Sequence, residues 1–310
     1  MKIETDNSIQ KSEISRWWNN ERNRRWDSFF DGNNTNSYRM NMRANTVLKL
    51  LNQIGKQNLK IFEIGFGAGQ IAKMILELGH FYHGIDVSQT LTDYAIQRNK
   101  IYVDKSLAKF EVGSIDENLK VESKSYDVVL AVGVLQYSTN LEFTINELKR
   151  VLKDNGHIII CQTNMYDIQR MFSLRRILIR IYYLLSNHQF EITPSFYSLL
   201  FETNLNKKLK LNQNNNLFNN KFFKKNYEEM KYNFKKNLMS VGRIKSLFKK
   251  GEVDTITYIG SPFFYSKNIK FSKKLDYINK IIFFILLNFR LNFLFRFADN
   301  VSLLMKKTIK

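Results

Sequence analysis

The stretch that most constrains the fold of this chain is residues 61–72, IFEIGFGAGQIA. An apolar run containing Glu63 comes first, glycines alternate at Gly65, Gly67 and Gly69, and a helical pattern of apolar residues then begins. This order predicts a β-strand, a tight turn and a helix, the first unit of a doubly wound α/β sheet. Glycines suit such a turn because they adopt positive φ angles and let a ligand approach the backbone.

The spacing of the glycines differs from the spacing that is typical of a dinucleotide-binding site. A dinucleotide site has the pattern G-x-G-x-x-G, with a diphosphate at the helix N-terminus. Here Gly69 comes one residue early, and Gln70 stands where that pattern has glycine. With Glu63 before the loop, E-x-G-x-G-x-G at a strand end resembles the first motif of the class I S-adenosylmethionine-dependent methyltransferases. For this motif alone, a dinucleotide enzyme and a purely structural glycine turn are the alternatives.

A second strand, predicted at residues 81–86, continues the resemblance. It ends at Asp86, which lies 17 residues after Gly69. An acid at the end of the second strand is where a ribose diol is bound, because a carboxylate can accept hydrogen bonds from two hydroxyls. Ser88 is predicted to cap the helix that follows at residues 90–98.

The third and fourth strands also resemble the family, with two departures. The third, at residues 110–114, ends in Ser114 where the family often has aspartate, and the next acid is Asp116. This departure leaves the contact with the adenine amino group open. The fourth strand, at residues 126–132, matches the Phe/Tyr-Asp-Val-Val pattern of the family, and Tyr137 stands at a position where the family often has histidine.

The resemblance covers about residues 45–165 and implies a Rossmann-like, seven-stranded, mainly parallel sheet. Strand five is predicted at residues 157–161, a helix at 236–249, and strands six and seven at 253–259 and 301–305. We divide the chain into N-terminal helices or a lid at 1–44, the cofactor-binding core at 45–164, a helical insertion at 165–235 that caps the substrate, and a C-terminal part at 236–310.

Three parts of this division carry their own predictions. Residues 14–30 hold all three tryptophans and are interpreted as helices packed on the core, with a lid over the cofactor as the alternative. Residues 31–37 are predicted to be a loop, and 38–55 a helix. Within the insertion, residues 174–185 have the pattern of a basic amphipathic helix, and a Lys/Asn-rich loop follows at 206–225.

The amino-acid composition indicates which kinds of binding partner and which kinds of site to expect. The 310 residues include 48 Lys or Arg and 28 Asp or Glu, which gives a net charge of +20. This charge favours an acidic partner, either nucleic acid, anionic lipid or an acidic metabolite, although a compositional bias is the alternative. A single cysteine, Cys161, argues against a disulfide scaffold and a zinc cluster, so we expect no metal site. Residues 1–16 lack the apolar run of a signal peptide, and we expect a cytoplasmic protein.

Residues 281–297 are strongly apolar but contain two arginines, and they are short for a membrane span of about 20 residues. As a helix, this segment aligns Asn288, Asn292 and Arg296 on a narrow polar face. It is interpreted as a packed structural helix, with a helix at a membrane interface as the alternative. Alternation from residue 287 to residue 297 leaves a strand open as well.

The resemblance implies a cofactor, S-adenosylmethionine, and a set of residues that bind it. The methionine end lies over the glycine loop, the ribose on Asp86, the adenine beside the third strand, and the methyl group near the end of the fourth. Arg39 and Arg43, near the start of the helix at 38–55, are interpreted as solvated charges, with the cofactor carboxylate as the alternative partner for an arginine. The implied cofactor residues are Glu63, Gly65, Phe66, Gly67, Gly69, Asp86, Val87, Ser114, Ile115 and Val132.

No catalytic base is identified from the sequence. Tyr137, Asn164 and Tyr166 follow strand ends on the correct side and are candidates for substrate contact, as is Thr163. His188, in the insertion, is interpreted as a surface residue. The predicted function is methyl transfer to a small-molecule acceptor, such as a glycan, a lipid-linked compound or a related metabolite. An RNA methyltransferase and a non-catalytic protein that binds S-adenosylmethionine are the alternatives.

Overall fold

The computed structural model describes residues 2–19, 30, 35–168, 189–192, 234–237, 239–265, 269–289 and 291–308. The helices are α1 (Lys2–Asn19), α2 (Thr35–Gln53), α3 (Gln70–Glu77), α4 (Gln89–Arg98), α5 (Lys100–Asp104), α6 (Leu141–Val151), α7 (Val241–Ser246) and α8 (Ile269–Asn288). The strands are β1 (Lys60–Ile64), β2 (Phe81–Asp86), β3 (Ala108–Val112), β4 (Tyr126–Val132), β5 (Leu152–Thr163), β6 (Gln189–Ile192), β7 (Phe234–Asn237), β8 (Val253–Gly260) and β9 (Asn300–Lys307).

Seven of these strands form one sheet in the order β3-β2-β1-β4-β5-β9-β8. The first five are parallel to one another, and β9 runs antiparallel to both of its neighbours. The predicted Rossmann-like, mainly parallel sheet is therefore confirmed. Its strand order reverses between β1 and β4, and the crevice outside the carboxyl ends at such a point is where ligands bind in this architecture.

Helices cover both faces of the sheet because successive side chains of each buried strand point to opposite sides. In β1, Ile61 packs on one face with residues of α2 and α3, such as Leu50 and Ile75. Phe62 packs on the other face with residues of α6, such as Leu148. Each of these side chains is fully buried, which stabilises the fold by about 1.5–3 kcal/mol apiece.

The structure corrects the predicted first residue of two elements, a helix and a strand. The helix α2 begins at Thr35, so the last three residues of the predicted loop at 31–37 are helical. The fifth strand begins at Leu152 rather than at residue 157, because Leu152 already pairs with Tyr126 of β4. Asn155 takes a φ of 58° within β5.

The insertion and the segment after it differ from the prediction where the structure describes them. Residues 189–192 and 234–237 form a two-stranded antiparallel ribbon, so the predicted helix at 236–249 is wrong in its first residues. The helical part is only α7, because Ser240 caps its first turn by accepting a hydrogen bond from the Arg243 amide at 3.1 Å. The predicted amphipathic helix at 174–185, the loop at 206–225 and His188 lie outside the described residues.

The predicted helix at 281–297 is confirmed for residues 281–288 and wrong beyond them, and the strand alternative is wrong. The helix α8 ends at Asn288, and a separate 3-10 helix spans Asn292–Phe297. The turn between them lets Phe295 enter the core, where it is fully buried and packs against Phe283. Among the residues that the structure describes, no helix is both long enough and apolar enough to cross a membrane.

Candidate functional site

A cavity of about 280 Å³ lies at the carboxyl ends of β1, β2 and β4, where the strand order reverses. Nine of the ten residues that the sequence assigns to the cofactor line this cavity, and the tenth, Gly69, caps the start of α3. The nine are Glu63, Gly65, Phe66, Gly67, Asp86, Val87, Ser114, Ile115 and Val132.

The glycine loop between β1 and α3 forms one wall of the cavity. Gly65 has a φ of 72°, and a Cβ atom at this position would lie 2.5 Å from Cγ2 of Val134, which follows β4. Gly69 has a φ of 76°, and a Cβ there would lie 2.9 Å from Cβ of Ala95 on α4. The backbone angle and the close neighbours both require glycine, so the loop leaves its main chain accessible to a ligand.

The Asp86 carboxylate, at the end of β2, joins this loop to the second strand. One oxygen accepts a hydrogen bond from the Gly67 amide at 2.9 Å, and the other accepts from the Ser88 amide at 3.0 Å. Burial raises the pKa of Asp86 to about 6, although these backbone hydrogen bonds oppose the shift. A carboxylate has about four acceptor positions, so Asp86 retains capacity for the hydroxyls of a ligand.

Glu63 is a buried acid on the same wall. Its carboxylate accepts a hydrogen bond of 2.5 Å from the hydroxyl of Tyr82, a neighbour on β2. Burial raises the pKa of Glu63 to about 8, and the nearby charge of Asp86 adds to the shift. Burial likewise raises the pKa of Tyr82 well above its ordinary value. A cationic group in the cavity would stabilise the ionised form of Glu63, because opposite charges attract strongly at a buried site.

Arg43 enters the cavity from α2, and its interpretation as a solvated charge is wrong. The side chain is buried, and its guanidinium donates to Asn300 Oδ1 at 2.5 and 3.1 Å and to Thr163 Oγ1 at 2.9 Å. These acceptors are neutral. A Cβ atom at Gly133 would lie 2.7 Å from Nη1 of Arg43, so the cation lies directly over the loop after β4. The arrangement favours an anionic ligand group at this point of the cavity.

Arg39, one helical turn earlier on α2, has a different environment. It forms a two-pronged ion pair with Asp299, with distances of 2.8 and 2.7 Å. Burial would lower the pKa of Arg39, but the charge and hydrogen bonds of Asp299 outweigh it and raise the pKa. The charge of Arg39 is therefore compensated within the protein, whereas the hydrogen bonds of Arg43 all go to neutral groups.

Asp116, in the loop after β3, uses its carboxylate for hydrogen bonds within the protein. The carboxylate of Asp116 accepts from the Ser138 hydroxyl at 2.7 Å and from the Thr139 amide and hydroxyl at 2.8 Å. It also accepts from the Asn140 amide at 3.3 Å. This carboxylate ties the loop after β3 to the loop after β4, although Asp116 also lines the cavity.

The N-terminal helix α1 closes one side of the cavity. Ile14 and Trp18 line it, and the ring of Trp18 meets the ring of Tyr137 edge-on at 5.4 Å. The Ser88 hydroxyl donates to the Trp18 carbonyl at 3.2 Å and so ties α1 to the end of β2. The helix α1 therefore packs on the core and borders the cavity, and its role as a lid over the cofactor stays a prediction. The predicted helical residues 20–29 lie outside the described residues.

The four candidates for substrate contact fall into two groups. Tyr137 and Thr163 line the cavity. Asn164 is buried and donates through Nδ2 to the carbonyls of Arg296 and Ala298, at 2.5 and 2.8 Å, so its amide joins β5 to the segment before β9. Tyr166 is 40% exposed, and neither Asn164 nor Tyr166 lines the cavity.

Sequence reasoning did not assign Met40, Lys11 or Phe30 to the cavity, and it gave Arg43 a ligand-binding role only as the alternative. Arg43 and Met40 come from α2, Lys11 comes from α1, and Phe30 comes from the segment between these helices. The detectable signal was the spacing of Arg39, Met40 and Arg43, which places them on one side of a helix that ends shortly before β1. His83, on β2, lies outside the cavity, and its ring contacts Tyr126 and Glu111 at 2.6 Å each.

Comparison with known proteins shows similarity to methyltransferases. Residues 62–160 match a family model described as a methyltransferase domain. The ubiquinone biosynthesis O-methyltransferase of Pelagibacter ubique is 27% identical over 172 residues, which are 51% of this chain and 67% of that protein. The highly reducing polyketide synthase aurA of Calcarisporium arbuscula is 30% identical over 117 residues, which cover 36% of this chain and 5% of the synthase.

Among solved structures, the magnesium protoporphyrin IX methyltransferase of Synechocystis PCC 6803 has the same fold. The similarity covers 96% of this chain and 100% of that one, with a TM-score of 0.55 and 11% sequence identity. That structure contains bound S-adenosylhomocysteine.

Proposed function

Because this chain belongs to the class I S-adenosylmethionine-dependent methyltransferases, we propose that it methylates a small-molecule acceptor. The observation that carries the proposal is the pair of buried acids, Glu63 and Asp86, beside a glycine loop whose backbone is accessible from the cavity. Support for a small acceptor comes from relatives named for ubiquinone biosynthesis and polyketide synthesis. Within this class we favour a lipid-linked compound or a related metabolite over a glycan.

The residues around the cavity fit the parts of S-adenosylmethionine. We assign the ribose diol to Asp86, since its carboxylate keeps acceptor positions after binding the amides of Gly67 and Ser88. We assign the ammonium group to Glu63, whose buried carboxylate needs a cation to ionise fully at neutral pH. We assign the carboxylate to Arg43, because its hydrogen bonds go to neutral acceptors. The adenine then lies beside Ile115, without a contribution from the Asp116 carboxylate.

The protein's part in the reaction is to align two reactants and exclude water. When bound, S-adenosylmethionine supplies a methyl group activated by its sulfonium. Trp18 and Tyr137 cover the cavity with aromatic surface, which keeps solvent away from the reacting groups. Tyr137 and Thr163 are our candidates for contact with the acceptor, because both line the cavity near the end of β4 or β5. Alignment of this kind contributes a large part of the rate in such displacements.

The net charge of +20 is the observation that favours RNA as the acceptor. Against it, the loop after β4 reads Gly133-Val134-Leu135-Gln136, without the N/D-P-P-Y pattern that is typical of enzymes that methylate base amines. We therefore treat RNA as the second candidate, to be separated from the first by experiment.

The test is a transfer assay with S-adenosylmethionine labelled in its methyl group. The full-length protein is incubated separately with total RNA, a lipid extract and a water-soluble metabolite extract. We expect label in the lipid or metabolite fraction, and less label with Asp86→Asn than with Asp93→Asn, an exposed aspartate on α4. Label in RNA would select the second candidate. Tight cofactor binding without transfer to any fraction would favour a non-catalytic binding protein.

A further inference from the structure

The outward face of α8 is apolar along the C-terminal half of the helix. Tyr277, Ile281, Phe284 and Ile285 are 71, 41, 65 and 41% exposed, respectively. Their spacing of four, three and one residues places all four on one face of a helix. Single exposed apolar residues are common on protein surfaces, but a contiguous group of large ones indicates an interaction site.

The opposite face of α8 is fixed to the protein, so the exposed face is not a consequence of a loosely attached helix. Leu286 is buried in the main core. Asn279 is 3% exposed, and its side chain accepts from the Phe263 and Phe264 amides at 3.0 and 2.9 Å. It also donates to the Tyr38 hydroxyl on α2 at 3.1 Å. These contacts determine which side of α8 points outward.

The apolar surface continues beyond the end of the helix. Phe289, in the turn, is 70% exposed, and Phe293, in the 3-10 helix, is 49% exposed. We call these two residues, together with Tyr277, Ile281, Phe284 and Ile285, the α8 ridge. The α8 ridge is a continuous row of exposed aromatic and branched side chains within the residues that the structure describes.

Positive charge borders the α8 ridge. In α8 and the 3-10 helix, the cations whose side chains the structure describes are Lys274, Lys280 and Arg296, and Asp276 is the only acid described there. Asp276 is already paired with Lys280 at 2.7 Å. Lys274 is exposed on α8, and the guanidinium of Arg296 lies 6.0 Å from the ring of Phe293. A partner for this surface must therefore accept apolar side chains and also carry negative charge.

We propose that the α8 ridge docks on an anionic lipid surface, with its apolar side chains in the interfacial layer and the bordering cations at the headgroups. Helices that lie in a membrane interface combine these two features. Each cation near an anionic surface adds roughly 1 kcal/mol of attraction. A second copy of the chain fits less well, because a symmetric contact brings the same cations face to face.

Docking of the α8 ridge on lipid would also favour certain methyl acceptors, because α8 is connected to the cavity through α2. The helix α8 is anchored to α2 at Tyr38, and α2 carries Arg39, Met40 and Arg43 into the cavity wall. A lipid-facing α8 therefore lies one helix away from the cavity, which favours an acceptor that is held in lipid. This last step rests on the proposed function, whereas the docking itself is independent of it.

The test is cosedimentation of the full-length protein with two kinds of vesicle, pure phosphatidylcholine and an equal mixture of phosphatidylcholine and phosphatidylglycerol. We expect binding to the mixed vesicles, weakened by added salt, and little binding to the neutral ones. Phe284→Ser should reduce the partition coefficient about tenfold or more, because it removes a large apolar side chain from the layer. Ile101→Ser is the matched control, since Ile101 is 61% exposed on α5, outside the ridge.

Two results would overturn the proposal. One is the absence of binding to anionic vesicles, or binding that Phe284→Ser leaves unchanged. The other is a dimer in velocity sedimentation that Phe284→Ser converts to a monomer, which would assign the ridge to a second copy. Calorimetric titration of S-adenosylmethionine into both variants separates this question from the proposed function, because cofactor affinity should be the same in wild type, Phe284→Ser and Ile101→Ser.

Discussion

Acidic side chains occur at both ends of the strands of the central sheet, which we call its carboxyl edge and its amino edge. The acids at the two edges differ in how their charges are compensated. At the carboxyl edge, the buried acids Glu63 and Asp86 face a cavity and receive hydrogen bonds only from Tyr82 and from backbone amides. At the amino edge, acids meet cations directly. At this edge Asp127 is paired with Lys153 at 2.7 Å. On β3, outside the cavity, Glu111 contacts Lys109 at 2.9 Å and His83 at 2.6 Å.

The difference is visible in the pKa values. At the carboxyl edge, burial raises the pKa of Glu63 to about 8 and that of Asp86 to about 6. Burial acts in the same direction on Asp127 at the amino edge and on Glu111 outside the cavity. Hydrogen bonds and charges from lysines and His83 outweigh burial there, so the pKa of both acids is lowered. The acids outside the cavity are therefore paired with cations of the protein, whereas the carboxyl-edge acids are available to a cationic or hydrogen-bonding ligand.

The largest effect is expected from the glycine loop at the carboxyl edge. Gly65→Ala adds a Cβ atom 2.5 Å from Val134 at a φ of 72°. Left-handed strain and overpacking together cost about 2–5 kcal/mol, which the loop can relieve only by moving. We expect the affinity for S-adenosylmethionine, measured by calorimetry, to fall more than about a hundredfold.

Gly79→Ala, at the amino edge, is the control for this substitution. Gly79 has a φ of 81°, and a Cβ there would meet nothing within 4 Å. It should lose about 1–2 kcal/mol of stability and keep its affinity for the cofactor. Equal losses of affinity in Gly65→Ala and Gly79→Ala would show that the loop has no special role.

A smaller effect is expected from the buried cation at the carboxyl edge. Arg43→Met keeps most of the side-chain volume but removes the charge that we assign to the cofactor carboxylate. A hydrogen bond to a charged group contributes about 1.5–3 kcal/mol, so affinity should fall roughly ten- to a hundredfold. Lys153→Met, which breaks an ion pair at the amino edge, should leave affinity unchanged. An Arg43→Met protein with wild-type affinity would assign this arginine to structure alone.

The pH dependence should distinguish the two edges further. Because the pKa of Glu63 is raised to about 8, folded protein holds a proton that the unfolded chain releases near its ordinary pKa of 4.5. Unfolding free energy should therefore fall as pH rises from about 4.5 to 8. Cofactor affinity should rise over the upper part of this range, by up to about tenfold per pH unit, if the ligand cation binds ionised Glu63.

Tyr82→Phe tests the assignment of this titration to Glu63. The Tyr82 hydroxyl favours the ionised carboxylate, so its removal should shift the rise in affinity to higher pH and weaken binding roughly threefold at neutral pH. Tyr126→Phe is the matched control, because it removes a half-buried hydroxyl that contacts His83 outside the cavity. Calorimetry over a series of pH values should show a displaced profile for Tyr82→Phe only, and coincident profiles for both variants would contradict the assignment.

The smallest effect is expected from His83, a buried titratable group of β2 that lies outside the cavity. His83→Gln removes contacts to Tyr126 and Glu111 and should cost about 1–2 kcal/mol of stability in urea unfolding. Cofactor affinity should stay within about twofold of wild type. A larger loss would mean that the two edges are coupled through β2.

The sequence predicted the parts of the site that short segments define by themselves. The loop from Glu63 to Gly69 and the acid at Asp86 follow from local chemistry, because glycines at positive φ and an acid at a strand end are recognisable within a few residues. The mainly parallel sheet follows from the same repeated unit. These predictions needed no knowledge of distant contacts.

Residues that depend on tertiary packing were misjudged. Arg43 was interpreted as solvated because nothing near it in the sequence shows that Asn300, at the start of β9, would accept its hydrogen bonds. Asn164 looked like a contact residue, but its amide is used by carbonyls from the segment before β9. The segment 281–297 was treated as one element because its pattern does not show that Phe295 enters the core separately.

The most direct test of the central claim is calorimetric titration of S-adenosylmethionine into wild type, Asp86→Ala and Asp127→Ala. Wild type should bind, and Asp86→Ala should bind roughly ten- to a hundredfold more weakly, because a charge-assisted contact to the ribose is worth about 1.5–3 kcal/mol. Asp127→Ala, at the amino edge, should lose stability and retain affinity. If wild type shows neither heat of binding nor a thermal shift with this ligand, the cavity at the carboxyl edge is not a site for S-adenosylmethionine.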